Sequence, residues 1–181
     1  MKIHIFGASG SGVSTLGEKL SGHLQIPYFD TDFYYWEKSE PPFTVRRNPQ
    51  VRNEMIISDM RRHEGWILGG SVISWGDHLF PTFDLAVFLW IPTEIRIERL
   101  KKREFERYGN IIYTDPARNQ QYLDFINWAS GYDTTSLTGR TIASHEKWLS
   151  ALDVPVLQIR GDVTVEQRFR LVLDEISRIS D

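Results

Sequence analysis

The stretch GASGSGVST, from Gly7 to Thr15, has the residue types and spacing of a phosphate-binding loop. Its glycines permit backbone conformations that turn successive N–H groups toward an anion, and a helix beginning after the loop would add partial positive charge. Ser14 stands where such loops coordinate Mg²⁺, whereas Val13 replaces the usual lysine. The stretch therefore predicts phosphate binding by the backbone; the alternative is an ordinary strand–turn–helix connection. The candidate nucleotide-binding residues are Gly7, Ser9, Gly10, Ser11, Gly12, Val13, Ser14 and Thr15.

Polar residues and glycines also follow the second and third apolar runs of the chain. Asp30 and Asp32 come after the second run, and Gly69-Gly70-Ser71 comes after the third. Ligands of open parallel sheets bind beyond the carboxyl ends of the strands, so these positions are candidates for substrate contact. The two glycines allow close approach and Ser71 can donate a hydrogen bond. The alternatives are helix-capping aspartates and a tight exit from a strand.

Arginines supply the third candidate group. Arg96, Arg99, Arg103 and Arg107 recur at spacings of three, four and four, which places them on one face of a continuous helix. Planar guanidinium groups bind phosphate oxygens in pairs and remain charged. Glutamates interleave with these arginines, however, and a helix of mixed charge is commonly only a solvated face. A second set, whose members the sequence does not rank, suits an anionic substrate: Arg46, Arg47 and Arg52.

Short apolar runs define the elements that would position these residues. The predicted strands are Ile3–Phe6, Ile26–Phe29, Trp66–Leu68, Leu85–Trp90 and Val154–Ile159. They are nearly continuous in hydrophobicity and separated by helix-length stretches, which predicts an α/β fold with a parallel sheet covered on both faces. Thr93 is predicted to cap one helix, and Thr164-x-x-Gln167 has the pattern of a capping box before the last one.

Composition restricts the class of protein. A chain of 181 residues is expected to form one domain with a sizeable core. Its net charge of −3 provides no general attraction to nucleic acid or anionic membranes, and it has no cysteine for disulfides or thiolate metal sites. It has no run of 18 apolar residues and no apolar signal region, which predicts a cytoplasmic protein.

Four motifs together resemble one family along nearly the whole chain. They are GASGSG-x-ST after the first strand, Asp30-x-Asp32 after the second, GGS after the third and ERLKKR after the fourth. This set resembles the small P-loop kinases, relatives of adenylate, shikimate and gluconate kinases. It is most similar to a bacterial group of adenylate-kinase-like ATPases known as "topology modulation" proteins. In that group Thr or Val in place of the loop lysine is not unusual.

The resemblance implies a fold and a division of labour. It implies a three-layer sandwich with a five-stranded parallel sheet, in which residues 33–64 form the acceptor region and residues 104–146 a lid that is mobile without ligand and closes on the phosphates. By resemblance Asp32 holds Mg²⁺ or orients the acceptor hydroxyl. The catalytic set implied is Asp32, Arg99, Arg103 and Arg140, with Arg99 and Arg103 at the lid entrance and Arg140 at its exit. The implied substrate-binding set is Asp30, Arg46, Gly69, Gly70 and Ser71, and the implied metal ligands are Ser14 and Asp32.

The functional hypothesis is an ATP–Mg²⁺-dependent transfer of the γ-phosphoryl group to a small acceptor such as a nucleoside monophosphate. The alternative is a nucleotide-binding sensor or partner-binding protein with little or no kinase activity, because Val13 replaces the loop lysine. A third hypothesis, a nucleic-acid-associated ATPase, comes only from the family label, and the absence of a basic stripe opposes it.

Overall fold

The computed structural model of the protein describes residues 1–76, 80, 82–134 and 139–180. Its centre is a parallel five-stranded sheet with strand order β2-β3-β1-β4-β5. The strands are β1 (Lys2–Gly7), β2 (Tyr28–Asp30), β3 (Trp66–Gly69), β4 (Leu85–Trp90) and β5 (Val156–Arg160). The helices are α1 (Val13–Leu24), α2 (Thr31–Tyr35), α3 (Pro49–Met60), α4 (Thr93–Tyr108), α5 (Ile111–Thr114), α6 (Pro116–Ser130), α7 (Ile142–Ala151) and α8 (Val165–Ser180), with a 3₁₀ turn at Gly131–Asp133. The predicted α/β architecture is confirmed.

Strands β2 and β5 each begin two residues after the first residue of the apolar run that predicted them. In both runs the second residue is proline, Pro27 in one and Pro155 in the other. Each proline carbonyl accepts a hydrogen bond from the neighbouring strand, at 2.9 and 3.0 Å. Neither proline has an N–H to donate, so regular pairing starts only after it.

The sheet is buried on both faces, as its continuous apolar strands predict. Ile3 and Ile5 of β1 pack with Leu16 of α1 in a core that α8 completes. Phe6, one position out of phase with them, packs on the opposite face with Leu149 of α7. Alternation with a period of two thus sends successive β1 side chains into two cores. Strand β1 is held from both sides, and this fixes the start of the loop that follows it.

Helix starts both confirm and correct the sequence analysis. Gln167 accepts from the Thr164 N–H at 2.9 Å, and the Gln167 N–H donates to the Thr164 hydroxyl at 3.2 Å, so the capping box of α8 is confirmed. The prediction that Thr93 caps α4 is wrong. Pro92 occupies the N-cap position, and Thr93, the first helical residue, turns its hydroxyl to Asp133 instead. This bond ties the start of α4 to the 3₁₀ turn that follows α6.

The two inserted segments are largely helical. Residues 33–64 contain the end of α2 and all of α3, and residues 104–146 run from the end of α4 through α5 and α6 into α7. Within the lid, residues 135–138 lie outside the described residues. None of the described helices combines the length and apolar character needed to span a bilayer.

Two glycines of α1 predict opposite effects of the same substitution. A Cβ at Gly17 would lie 2.2 Å from a ring carbon of Tyr28, whereas a Cβ at Gly22 would meet nothing within 4 Å. We expect Gly17→Ala to lower the free energy of unfolding by about 1–3 kcal/mol through overpacking. Gly22→Ala, the matched control, should raise it by about 0.4–1 kcal/mol because it restricts the unfolded chain. Urea denaturation measures both; equal effects would contradict this packing of α1.

Candidate functional site

The glycine-rich loop between β1 and α1 is open to an anion. Gly10 and Gly12 have φ of 82° and 91°, values that side chains other than glycine rarely adopt, so the sequence is matched to the bend. Within the part of the chain that the structure describes, the N–H groups of residues 12–15 donate to no acceptor. They surround the N-terminus of the 12-residue helix α1. Val13 packs against the core beneath and leaves this cradle to the backbone.

Asp30 links the loop to the second strand. Its Oδ2 accepts from the Ser14 hydroxyl at 3.0 Å and from the Tyr28 hydroxyl at 3.3 Å, while its Oδ1 accepts from the Asp32 N–H at 2.9 Å. The last bond caps α2, so the capping interpretation holds for Asp30. The same carboxylate also stands beside the serine expected to meet Mg²⁺.

Asp32, two residues after Asp30, has three arginines near enough to influence its pKa. Its side chain is reached by solvent, yet desolvation by the surrounding protein is the main cause that raises its pKa. Arg140 opposes this most strongly, and Arg103 and Arg107 do so to a smaller degree, because positive charge lowers the pKa of a carboxyl. Desolvation outweighs the three arginines, and the neighbouring Asp30 adds to it.

Four arginines of α4 occupy three different environments. Arg96 is fully buried and donates to the carbonyls of Ile91, Ser9 and Ala129, so it fastens the loop to α4 and α6. Arg99 donates to Asp162 at 2.6 Å, on the side of the loop next to α8. The remaining two, Arg103 and Arg107, face Asp32 electrostatically. Arg107, which the resemblance did not favour, therefore joins the Asp32 group, whereas Arg99 lies apart from it.

The arginines around Asp32 lie against aromatic rings of α6 and of the segment between α2 and α3. Arg103 lies 5.8 Å from the Phe125 ring, Arg107 4.8 Å from the Phe43 ring, and Arg140 5.9 Å from the Trp128 ring. Stacking on an aromatic face holds a guanidinium without consuming its hydrogen-bond donors. These donors remain able to bind phosphate oxygens.

Packing against Tyr28 and Thr31 requires glycine at the end of β3, at Gly69 and Gly70. A Cβ at Gly69 would lie 2.0 Å from the Tyr28 hydroxyl, and one at Gly70 would lie 1.8 Å from the Thr31 hydroxyl. Gly70 also has a φ of 106°. The interpretation as a tight strand exit therefore explains both glycines without a ligand. It does not explain Ser71.

Ser71 belongs to a buried polar chain that the sequence analysis missed. Its hydroxyl lies 3.2 Å from Nε2 of His145, whose Nδ1 lies 2.6 Å from the Tyr132 hydroxyl. Burial lowers the pKa of His145 to about 3, with Arg140 and His4 adding to the effect, so this imidazole is neutral at physiological pH. A neutral imidazole donates through one nitrogen and accepts through the other. This polar chain thus fixes the Ser71 hydroxyl from α7 and the 3₁₀ turn.

The acceptor-side arginines, which the sequence could not rank, differ in the structure. Arg47 is engaged by the carbonyls of Tyr34 and Trp36. Arg46 is exposed and lies 5.9 Å from the Tyr35 ring. Arg52 is buried with its guanidinium 3.8 Å from the Trp75 ring, and its Nε donates to the neutral Asn53 at 3.0 Å; within the described ranges no carboxylate pairs with it. Burial lowers the pKa of Arg52.

Two hollows elsewhere do not coincide with these groups. One of about 730 Å³ lies along the outer side of α3, and one of about 380 Å³ lies near Met60 and Trp66. Among the described residues, no three His, Cys, Asp or Glu side chains converge to hold a metal ion. Magnesium at phosphate sites is held by one or two carboxylates together with the phosphates and water, so Ser14 and Asp30 suffice as a protein contribution.

Comparison with known proteins places this arrangement in context. No family model matches the chain. It is 46% identical over 175 residues to the uncharacterized protein YqaC of Bacillus subtilis (strain 168), with 97% of each chain covered. It is 28% identical over 111 residues to a shikimate kinase of Microcystis aeruginosa, over 56% of this chain and 58% of that one. The structure of deoxyadenosine kinase from M. mycoides with bound dATP superposes with a TM-score of 0.58 at 16% identity, covering 98% of this chain and 100% of that one. The predicted fold is confirmed by these likenesses.

Proposed function

The chain belongs to the same family as YqaC and has the fold of the small P-loop kinases, and from this premise we propose that it is an ATP-dependent phosphotransferase. One observation carries the proposal. The N–H groups of residues 12–15, which have no acceptor among the described residues, lie together at the N-terminus of α1, beside the Ser14–Asp30 pair. Such a cradle binds the β-phosphate through backbone donors and the helix dipole, and neither contribution needs a lysine.

Mg²⁺ fits the donors beside the cradle. Asp30 accepts from Ser14 at 3.0 Å, and Asp32 follows two residues later. Hard oxygen ligands of this kind suit the ion, and when bound it would neutralise charge on the β- and γ-phosphates. Asp30 replaces Asp32 as the carboxylate nearest Ser14, which leaves Asp32 free for the acceptor.

The acceptor is proposed to lie between Asp32 and Arg52. Asp32 accepts the proton of the attacking hydroxyl, and the arginines around it, Arg103, Arg107 and Arg140, meet the negative charge of the transferred phosphoryl group. Arg52, buried on Trp75 and without a carboxylate partner in the described part of the chain, binds an anionic group of the acceptor. A small acceptor that carries both a hydroxyl and an anionic group, such as a nucleoside monophosphate, satisfies both ends.

A second candidate function is nucleotide binding without efficient transfer. Val13 favours it, because valine packs into the core and provides no charge to the phosphates. A protein of this kind would bind ATP as a sensor or partner-binding module. The two functions share the cradle and differ only in the use of Asp32 and its arginines.

Binding and turnover separate the two functions. We expect ATP with Mg²⁺ to raise the melting temperature, since a ligand at a hundredfold its Kd stabilises the folded state by about 2.7 kcal/mol. Adenosine, which has no phosphate for the cradle, is the control and should shift it much less. ATP hydrolysis and transfer are then measured with a panel of nucleoside monophosphates. Stabilisation without transfer to any acceptor supports the second function; no stabilisation at millimolar ATP contradicts both.

A further inference from the structure

A buried arginine from the last helix lies directly behind the phosphate cradle. The Arg168 side chain of α8 is only 2% exposed, and its Nη1 donates to the Ser11 carbonyl at 2.7 Å. A Cβ at Gly12 would lie 2.9 Å from the same Nη1, so the guanidinium sits against the backbone at the turn into α1. The contact joins positions 157 residues apart in the chain.

The contact acts on a peptide unit that faces the cradle. In a trans peptide the C=O and N–H groups point in opposite directions. The Ser11 carbonyl points at Arg168, so the N–H of Gly12 points away from it and has no acceptor among the described residues. A cation bonded to the carbonyl polarises the whole unit and strengthens that N–H as a donor. Arg168 therefore both orients this donor and adds positive charge behind it.

The charge of Arg168 is incompletely balanced by protein. Its Nη2 has no hydrogen-bond partner in the described part of the chain and lies 4.0 Å from Asp162, whose carboxylate Arg99 already engages at 2.6 Å. Two arginines thus share one carboxylate. The remaining nearby cation of α1, Lys19, is paired with Glu166. Burying an underpaired charge is costly, and desolvation accordingly lowers the pKa of Arg168, with Arg99 adding to the effect. An anion bound in the cradle would balance the remaining positive charge of Arg168.

We propose that Arg168 is a positioning residue that supplies positive charge to the phosphate-binding loop. In phosphate binding it replaces the loop lysine, whose position Val13 occupies. The proposal rests on the proposed nucleotide binding and deepens it. A loop lysine both binds the phosphates and stabilises the charge of the transition state; in this protein the two tasks fall to different residues. Arg168 stabilises the bound phosphates from behind the loop, and the arginines around Asp32 stabilise the charge of the transition state. A polyphosphate chain, rather than the nucleoside, is the part of the ligand that it recognises.

Charge-changing variants test this inference with inorganic tripolyphosphate and with ATP–Mg²⁺ as calorimetric probes. Arg168→Gln keeps a donor for Ser11 but removes the charge, and we expect it to weaken both probes about 10- to 100-fold, the range for losing one charge-assisted interaction. Arg168→Lys keeps the charge and should lose far less. Val13→Lys in the wild-type background is measured as the reference for the double variant. In the Arg168→Gln background, Val13→Lys should restore most of the loss, because its flexible stem can carry a charge over the loop.

Several outcomes overturn the proposal. Unchanged binding by Arg168→Gln would show that the charge is not used, and equal losses in Arg168→Gln and Arg168→Lys would indicate a purely structural contact. Failure of Val13→Lys to restore binding in a folded Arg168→Gln protein would also contradict it. Circular dichroism checks that each variant is folded. If Arg168→Gln unfolds, Arg168→Lys is used in its place: any affinity for tripolyphosphate that this variant loses should depend on salt, and the loss should be smaller when Val13→Lys is added. A loss that Val13→Lys does not reduce would contradict the proposal. If the wild-type protein binds neither probe, the proposed function itself fails; if only the variants disagree, the function stands without this role.

Discussion

Asp32→Asn is expected to reduce phosphoryl transfer about 10²–10⁴-fold, the usual contribution of one general base, while nucleotide affinity is largely retained. The substitution preserves shape but removes the carboxylate that we propose accepts the hydroxyl proton. The cradle at residues 12–15 and the Ser14–Asp30 pair are untouched, so ATP binding should persist. Single-turnover transfer and calorimetric ATP binding measure the two effects separately.

The same variant should be at least as stable as the wild type at neutral pH. Desolvation raises the pKa of Asp32 in the folded state above its unfolded value. The folded protein therefore binds more protons in that window, and ionisation of Asp32 reduces the free energy of unfolding as pH rises through it. Asparagine resembles the neutral form, so its advantage should be present at pH 7 and vanish below about pH 4, near the ordinary pKa of the carboxyl.

Transfer by the wild type gives an independent check on this assignment. Because the base must be ionised, its rate should decline on acidification at a higher pH than an ordinary carboxylate would allow. Asp30→Asn serves as the comparison, since it disturbs Ser14 and should weaken Mg²⁺-dependent binding as well. An Asp32→Asn protein that transfers phosphate at the wild-type rate would exclude Asp32 as the base.

The fold was predictable because its signals are local. Each strand is a short apolar run, and the runs alternate with helix-length stretches, so hydrophobic pattern alone indicates a parallel sheet with two covered faces. The glycines of the loop were equally readable, because Gly10 and Gly12 have the positive φ that their residue type permits. Thr93 failed as a cap because a distant partner, Asp133, competes for its hydroxyl. No local pattern reveals such a partner.

The candidate site was only partly predictable because its members meet through tertiary contacts. Spacing placed Arg99 and Arg107 on one helix face but could not show that Asp162 engages the first and that the second faces Asp32. The position of Arg168 in the apolar pattern of α8 could have indicated from the sequence that it is buried. It falls three residues after Val165 and four before Val172, on the face of α8 that packs into the core. A charged residue at an apolar position is an anomaly that predicts a buried partner, although the partner itself, Ser11, is far away in the chain.

Arg103→Ala is expected to reduce the rate of transfer about 10²–10³-fold, the loss typical of removing one donor to transition-state charge. Arg103 faces Asp32 and lies against the Phe125 ring of α6, so its guanidinium is available beside the carboxylate at which we propose the transfer takes place. Its contacts with the protein are weak, since the nearest carboxylate oxygen, on the adjacent Glu104, is 3.4 Å away. Nucleotide affinity should therefore change little, because the interaction is made chiefly in the transition state.

Arg99→Ala is the matched control, one helical turn away on the same face of α4. Arg99 is bonded to Asp162 beside Arg168, so its removal should affect the loop side of the site and raise the Kd for ATP while leaving the rate at saturation nearly unchanged. Transfer rates at saturating ATP, together with calorimetric Kd values, give both quantities for both variants. The reverse pattern, with Arg103 governing affinity and Arg99 governing rate, would place the phosphoryl transfer near Asp162 and not at Asp32. Equal small effects from both variants would instead favour a nucleotide-binding protein in which Asp32 and its arginines carry out no transfer.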